Sequence, residues 1–418
     1  MKLQGSMIAT TVPAEARLVA DNIRDLFPDL RYKALCAVVC LFLLGKDTLY
    51  HGVREMTFAP SVSTMSRAIR KIKPSRLMRR MRKSLAKKFK HTDPKELVFV
   101  IDDTGNRKYS KGLHRSGHWG GSSGVFLGQK IMVLGIVHIK TKKIYPVGFT
   151  ILPKRESKKS PTAHWHANRL VVEAMAAGIR AQTFVADSWF DSVSLMQKLE
   201  AQGIDIVIQI KNNRKVRSNP GRYIKWSNLE AEFSSEKRLR SRTEWESAKV
   251  RAGKKRGMCL AEKVLQIRGR SCPLKVVAAY KRRNGVEVFG YYASTNRNMS
   301  RSRIWAVSRM RWKIEELFRT CKQRLAFGKL SCKGKDAAHL AVALPLFLYK
   351  WLTEKCPESM KIDRYIATIV TESSRKGIFS LTSSIDRRPA EIARNRLATS
   401  RAHQKPCDSA AGDFKLAI

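Results

Sequence analysis

Leu97-Val98-Phe99-Val100-Ile101-Asp102-Asp103-Thr104-Gly105 is the stretch from which the fold can be read. A continuous apolar run of this kind suits a strand buried on both faces, because a half-solvated strand would alternate apolar and polar residues. Downstream, Ile131–Ile139 and Ile144–Leu152 read as two further strands, and Lys140-Thr141-Lys142-Lys143 is short enough to join them as a hairpin. His166 to Gln182 reads as a helix. Thr183-Phe184-Val185-Ala186-Asp187-Ser188-Trp189 is then a second apolar strand ending in an aspartate. Helix Val193–Ala201 and strand Ile204–Ile210 complete a βαβ unit. The order of strands and helices predicts an α/β core, a mixed sheet covered by helices.

The flanks differ in character. Residues 1–93 read as an all-α domain. In it Ser61–Lys73 carries the stripe Val62, Met65, Ile69 and Ile72, while Arg67, Arg70 and Lys71 point elsewhere. A short helix, a turn near Pro60 and a helix with a basic face fit helix-turn-helix DNA binding, and equally a plain bundle with a solvated basic face. The helix Pro74–Phe89 is more basic still, a density that suits phosphate contact. After the first part of the core (94–210), residues 211–290 read as a β-rich insertion, with strands at Ser271–Tyr280 and Val286–Ser294 and a basic loop at Lys249–Gly257. Residues 291–380 return to helices, among them Ala337–Leu352 and Ile362–Thr371. The basic tail, 381–418, is charged and poor in aromatics, as partly disordered segments are.

Within the returning helices, Arg311-Trp312-Lys313-Ile314-Glu315-Glu316-Leu317-Phe318-Arg319-Thr320-Cys321-Lys322 contains no Gly or Pro. Ile304, Val307, Ile314, Phe318, Cys321 and Leu325 recur at helical spacing and predict one buried stripe. At about 100° per residue, Arg311, Glu315 and Lys322 fall within roughly 40° of one another beside that stripe, and Glu316 falls on the far, solvated side. Arg311 and Glu315 by themselves could be an ordinary i,i+4 surface pair. Asp102 and Asp187, each at a strand end, could by themselves be turn or cap residues. Together they point further, because ligand and catalytic groups of open α/β sheets gather at the carboxyl ends of strands. Two such aspartates joined by Glu315 would form an anionic cluster suited to Mg²⁺ or Mn²⁺.

The composition agrees with a polyanionic partner. Lys+Arg 82 against Asp+Glu 34 gives +48, with pI near 10.5, a field that favours nucleic acid. The longest apolar run, Ala34–Leu44, is too short to span a bilayer. Met1–Pro13 lacks the features of a cleavable signal peptide. The eight Cys form no CxxC pair, so reduced thiols in the cytoplasm are expected. No Walker loop, GxSxG or HExxH occurs. His164-x-His166 has the spacing of a metal pair without a third ligand. His114, His118 and Trp119, in the Gly-rich segment after Asp102, are expected near the site.

Arg311-x3-Glu315-x6-Lys322 resembles the C-terminal motif of insertion-sequence transposases of the DDE superfamily, in the fourth insertion-sequence family, Tyr-x2-Arg-x3-Glu-x6-Lys. Ser308 stands at the Tyr position. Ile101-Asp102-Asp103-Thr104 resembles that family's first aspartate motif, and Val185-Ala186-Asp187-Ser188-Trp189-Phe190 its second, in the right order. The resemblance implies an RNase H-like core, Asp102, Asp187 and Glu315 as catalytic ligands of two Mg²⁺ or Mn²⁺ ions, and Arg311 and Lys322 on DNA. It also implies double-stranded transposon-end and target DNA as partners, a homodimer in the DNA complex, and residence in the cytoplasm on the nucleoid, with no membrane. Some related enzymes stack a flipped base on Trp, a role for which Trp226 and Trp245 are candidates. The residues themselves leave open a nuclease or resolvase without strand transfer, and a decayed DNA-binding protein.

Overall fold

Leu97–Ile101 form the centre of a mixed sheet, and none of the five is more than 1% exposed. The structure is a computed structural model describing residues 12–46, 48–108, 112–121, 124–154, 160–211, 213–217, 222–228, 246–249, 258–282, 286–330 and 334–383. Strand β1 (Leu97–Arg107) lies between β3 (Gly124–His138), antiparallel to it, and β5 (Thr183–Ala186), parallel to it. β4 (Ile144–Ile151) pairs with β3 as the expected hairpin, and β6 (Asp205–Gln209) continues the parallel pairing beyond β5. β2 (Gly117–Gly121) pairs with the outer part of β3.

β1 is longer than its apolar run. It pairs with β5 only through Val98–Val100, but with β3 all the way from Leu97↔His138 to Arg107↔Gly128. In the polar half of the strand β3 satisfies the backbone groups that face it, and on the open side the Gly105 carbonyl accepts from the Lys322 ammonium. β1 and β5 therefore part just before Asp102, and a crevice opens between them. β3 likewise begins at Gly124, seven positions before its apolar part, in a stretch the sequence presents as glycine-rich loop.

Beyond β6 the sheet runs on through β12 (Val286–Ser294), β11 (Leu274–Arg282), β10 (Met258–Ile267), β7 (Lys215–Arg217) and β8 (Ile224–Lys225), with β9 (Glu246–Lys249) also on β10. The strands after residue 211 thus extend the same sheet from the edge of β6, paired antiparallel at Tyr292↔Gln209. Trp226 is buried there with its ring edge-on to Tyr291, a packing role that leaves no face for a nucleotide base. Trp245, residues 250–257 and the tail beyond 383 lie outside the described residues.

Helices flank the sheet. Before β1 come α1 (Ala14–Ile23), α2 (Tyr32–Leu43), α3 (Leu49–Arg54), α4 (Val62–Lys71) and α5 (Pro74–Lys88). Met65, Ile69 and Ile72 are buried as their spacing predicts. α6 (Ala163–Ala176) and α7 (Val193–Glu200) belong to the crossovers. α8 (Arg301–Ser308), α9 (Trp312–Arg324), α10 (Lys335–Lys355) and α11 (Ile362–Ser383) follow the last strand. α8 and α9 are separated by one 3₁₀ turn, Arg309–Arg311, where the spacing alone predicts unbroken helix. All six apolar residues of the predicted stripe are buried even so.

α2, α4 and α5 pack on α10. Lys350 donates to Ser84 Oγ at 2.6 Å and Lys73 pairs with Asp336 at 2.7 Å. Several basic residues of α5 are held by other elements: Arg76 donates to the Leu26 carbonyl, Arg80 pairs with Asp25, and Arg82 lies 3.5 Å from Glu173 of α6. No helix among the described residues is long and apolar enough to cross a membrane.

Candidate active site

Where β1 and β5 part, a cleft of about 620 Å³ opens, lined by Asp102, Asp103, Lys130, Asp187, Trp189 and Lys322 among others. Asp102 rides on β1, whose inner half is locked by burial. Its Oδ1 accepts from the Asp103 amide at 2.8 Å. Asp187 follows directly on β5 and caps a 3₁₀ turn, Ser188–Phe190, through its Oδ1, which accepts from the Trp189 amide at 3.0 Å. Capping fixes the aspartate's rotamer, so the structural role of Asp187 also aims it. Burial, and after it the charge of Asp187, raise the Asp102 carboxyl to about 7, with the Asp103 amide and Arg311 acting in the opposite direction.

α9 brings in the third carboxylate by way of an arginine. Arg311 Nη1 lies 2.7 Å from Glu315 Oε1 and 3.7 Å from Asp102 Oδ2. Glu315 is therefore held next to Asp102 by a shared cation. Among the described residues no group of three His, Cys, Asp or Glu side chains converges closely enough to hold a metal ion. The donor set nevertheless suits a hard divalent cation: Asp102 and Asp187 supply carboxylate oxygens, and their mutual repulsion is what such a cation relieves.

Glu316 is not on a solvated face. Its side chain is 36% exposed and that of Glu315 34%, so exposure does not separate them. Their partners do: Glu316 pairs with Lys313 at 2.7 Å, away from Asp102. The helix does turn Glu316 away from Arg311, and α9 packs against both α10 and α11.

Lys322 lines the cleft and donates to Thr104 Oγ1 and to the Gly105 carbonyl; burial lowers its ammonium. Ser308 is buried, its Oγ donating to the Trp305 carbonyl at 2.8 Å. Arg67, Arg70 and Lys71 lie on α4, well apart from the cleft residues in the chain. His164 Nε2 lies 3.1 Å from the Trp189 carbonyl oxygen, while His166 is buried with neither ring nitrogen partnered, so the two share no ligand. His114 faces His339 across 5.3 Å between ring centroids.

Sequence reasoning misses Arg107 and Lys130, which line the cleft, and Asn106 and Lys108, which flank Arg107. Asn106 Nδ2 and Lys108 Nζ both donate to the Gly328 carbonyl just past α9. Lys130 pairs with Asp103 at 3.2 Å and lies 4.2 Å from the centre of the Trp189 ring. Only the β1–β3 register, Gly105↔Lys130, could have found Lys130, and that requires the full length of β3.

Residues 158–351 match the family model described as Transposase DDE domain. A search of curated proteins finds no match to the chain. The matched segment carries Asp187 on its strand and Glu315 on its helix, while Asp102 lies before it. A mixed sheet flanked by helices is consistent with an RNase H-like DDE domain, and the match supports a DDE transposase, a family of metal-dependent nucleases and transferases.

Proposed function

We propose that this chain is a DNA transposase that cuts the ends of its own insertion sequence and joins them to target DNA, with Asp102, Asp187 and Glu315 as its catalytic carboxylates. The observation that carries the reading is the pair Asp102 and Asp187 on adjacent parallel strands, facing one cleft, with Arg311 bridging Asp102 to Glu315. Two Mg²⁺ or Mn²⁺ ions held by these carboxylates would supply charge neutralisation and Lewis-acid activation for phosphodiester chemistry.

The chain's own residues divide the remaining work. Arg311 balances Asp102 and Glu315, and it would be available to DNA if those carboxylates held metal ions. Lys322 uses two of its three ammonium donors on β1, which leaves one for a phosphate. The α4 cations Arg67, Arg70 and Lys71 contact DNA from the helical domain of residues 1–93, and the strands of 211–290 form the insertion between the two parts of the core. Two copies of the chain pair the two transposon ends.

The test is incubation with duplex DNA carrying the sequence that flanks the coding region, with and without Mg²⁺. Strand joining to a second duplex, dependent on the metal, is expected. Cleavage without joining would make the protein a nuclease instead, and no cleavage by any divalent metal would reduce it to a DNA-binding protein.

A further inference from the structure

The cleft holds a cation that neither the motif nor the metal reading uses. Lys130 comes from β3, opposite Gly105, and its side chain is 17% exposed. Its ammonium has Asp103 Oδ1 at 3.2 Å and the face of Trp189 at 4.2 Å. An ammonium has three donors, and Asp103 is its one ion-pair partner among the described residues. Of the other cations nearby, Lys322 spends two donors on Thr104 and Gly105, Arg311 pairs with Glu315, and Arg107 lines the same cleft from the exposed end of β1.

Asp102 and Asp103 are neighbours but stand in different electrostatic positions. Asp103 has a dedicated cation at 3.2 Å, whereas among the described residues Asp102 has only Arg311 at 3.7 Å, and Arg311 is closer to Glu315. A carboxylate already neutralised by a half-buried lysine gains little from a metal ion, because the ion would have to displace that lysine or sit beside it. Both carboxylates line the cleft, but alternation along β1 sets Asp103 beside Lys130, opposite Gly105, while Asp102 faces Arg311. The indole beneath Lys130 is fixed in turn: Asp187 accepts from the Trp189 amide, and His164 Nε2 lies 3.1 Å from its carbonyl oxygen. Lys130 and Asp187, the second strand-end carboxylate, thus line one cleft with Trp189.

We propose that Lys130 is a phosphate-binding residue of the cleft, contacting the DNA backbone beside the carboxylate pair, with Asp103 as its counter-ion and not as a metal ligand. The inference rests on the reading of Asp102 and Asp187 given above. A phosphodiester entering the cleft replaces or joins Asp103 on the ammonium, while the Trp189 face keeps the lysine stem from swinging out. Without DNA, the Asp103 partner offsets the cost of burying the charge.

The test uses the full chain and two readouts besides activity. DNA binding is measured against salt without divalent ions, on the flanking duplex, and thermal melting is measured with and without Mg²⁺. Lys130→Gln should lower the log–log salt slope by about 0.9, as expected when one phosphate is no longer neutralised, and keep the Mg²⁺-induced rise in melting temperature. Lys130→Arg should keep the slope, which controls for local misfolding. Asp103→Asn should keep the Mg²⁺-induced rise and tighten DNA binding, and adding Lys130→Gln to it should abolish that gain. An unchanged slope in Lys130→Gln would overturn the proposal, and so would loss of the Mg²⁺ effect in Asp103→Asn. Asp102→Asn separates the two readings: if it retains the Mg²⁺ effect, the carboxylate assignment fails, and the salt slope alone decides the role of Lys130.

Discussion

Lys322 Nζ donates to the carbonyl oxygen of Gly105 at 2.9 Å, tying the last turn of α9 to the polar half of β1. Thr104 accepts from the same ammonium, and Asn106 and Lys108 bind the Gly328 carbonyl beyond the end of the helix. Four residues at and just past the end of one strand thus hold one helix, and that attachment sets how far Glu315 sits from Asp102. Lys322→Met would leave the Thr104 hydroxyl and the Gly105 carbonyl without this donor. We expect a loss of roughly 1–3 kcal/mol in denaturant unfolding, together with a fall in cleavage larger than the fall in DNA affinity. Cleavage and affinity falling in step would show that Lys322 serves DNA contact alone.

Glu315→Gln should abolish cleavage at saturating Mg²⁺ while DNA binding persists, since the amide keeps the size and loses the anion. Glu316→Gln, equally exposed, should retain most activity and lose only its pair with Lys313, worth about 0.3–0.5 kcal/mol. Assays of both variants on one substrate check this, and a reversed pattern would mean that Arg311 marks the wrong carboxylate.

Asp102→Asn removes one of two neighbouring half-buried carboxylates. In the absence of divalent ions at pH 8 the variant should melt higher than the parent, because the repulsion from Asp187 is gone. Adding Mg²⁺ should raise the parent's melting temperature and leave the variant's nearly unchanged. A Mg²⁺-induced rise of equal size in both proteins would exclude Asp102 as a metal ligand.

His166 bears on acid stability. It is 4% exposed, neither ring nitrogen has a hydrogen-bond partner, and burial followed by the charges of Arg169 and Arg115 lowers its imidazole to about 4. The unfolded chain takes up this proton near 6.5 and the folded chain only near 4, so the contribution is fully present above about 6.5 and is lost as pH falls between those values. Denaturation midpoints at pH 7 and pH 5 should differ less for His166→Leu than for the parent. An equal difference would place the acid sensitivity in other groups, such as His114, His164 and His339, whose shifts have the same direction.

Arg67 and Arg70 reach only Thr64 and Ser66 on their own helix, and neither they nor Lys71 pair with a carboxylate among the described residues. Replacing all three with Gln should lower the salt slope of DNA binding by up to about 2.7, roughly 0.9 for each phosphate no longer neutralised. Folding should be unaffected, since α4 buries Met65, Ala68 and Ile69 and not these three. A slope that does not move would assign α4 to packing alone.

The apolar run before Asp102, the second run before Asp187 and the stripe through Ile314 and Cys321 determined most of this architecture by themselves. Burial on both faces of a strand and on one side of a helix is written in the spacing of apolar residues, and all of those residues are buried. The order of strands and helices also put both aspartates at strand ends. The tertiary structure alone decided what happens among the polar residues. Whether β1 continues past Asp102 depended on pairing with β3, which a polar sequence does not announce. Glu315 and Glu316 differ by their partners and not by their exposure, and the approach of Asp102 to Arg311 beside Glu315 is fixed only by packing. Trp226 went to the interior because Tyr291 and the extended sheet were there to cover it. Lys130 reached Asp103 because a strand register put Gly105 opposite it. Hydrophobic burial follows local periodicity, while each charge takes its counter-charge from wherever the fold delivers one.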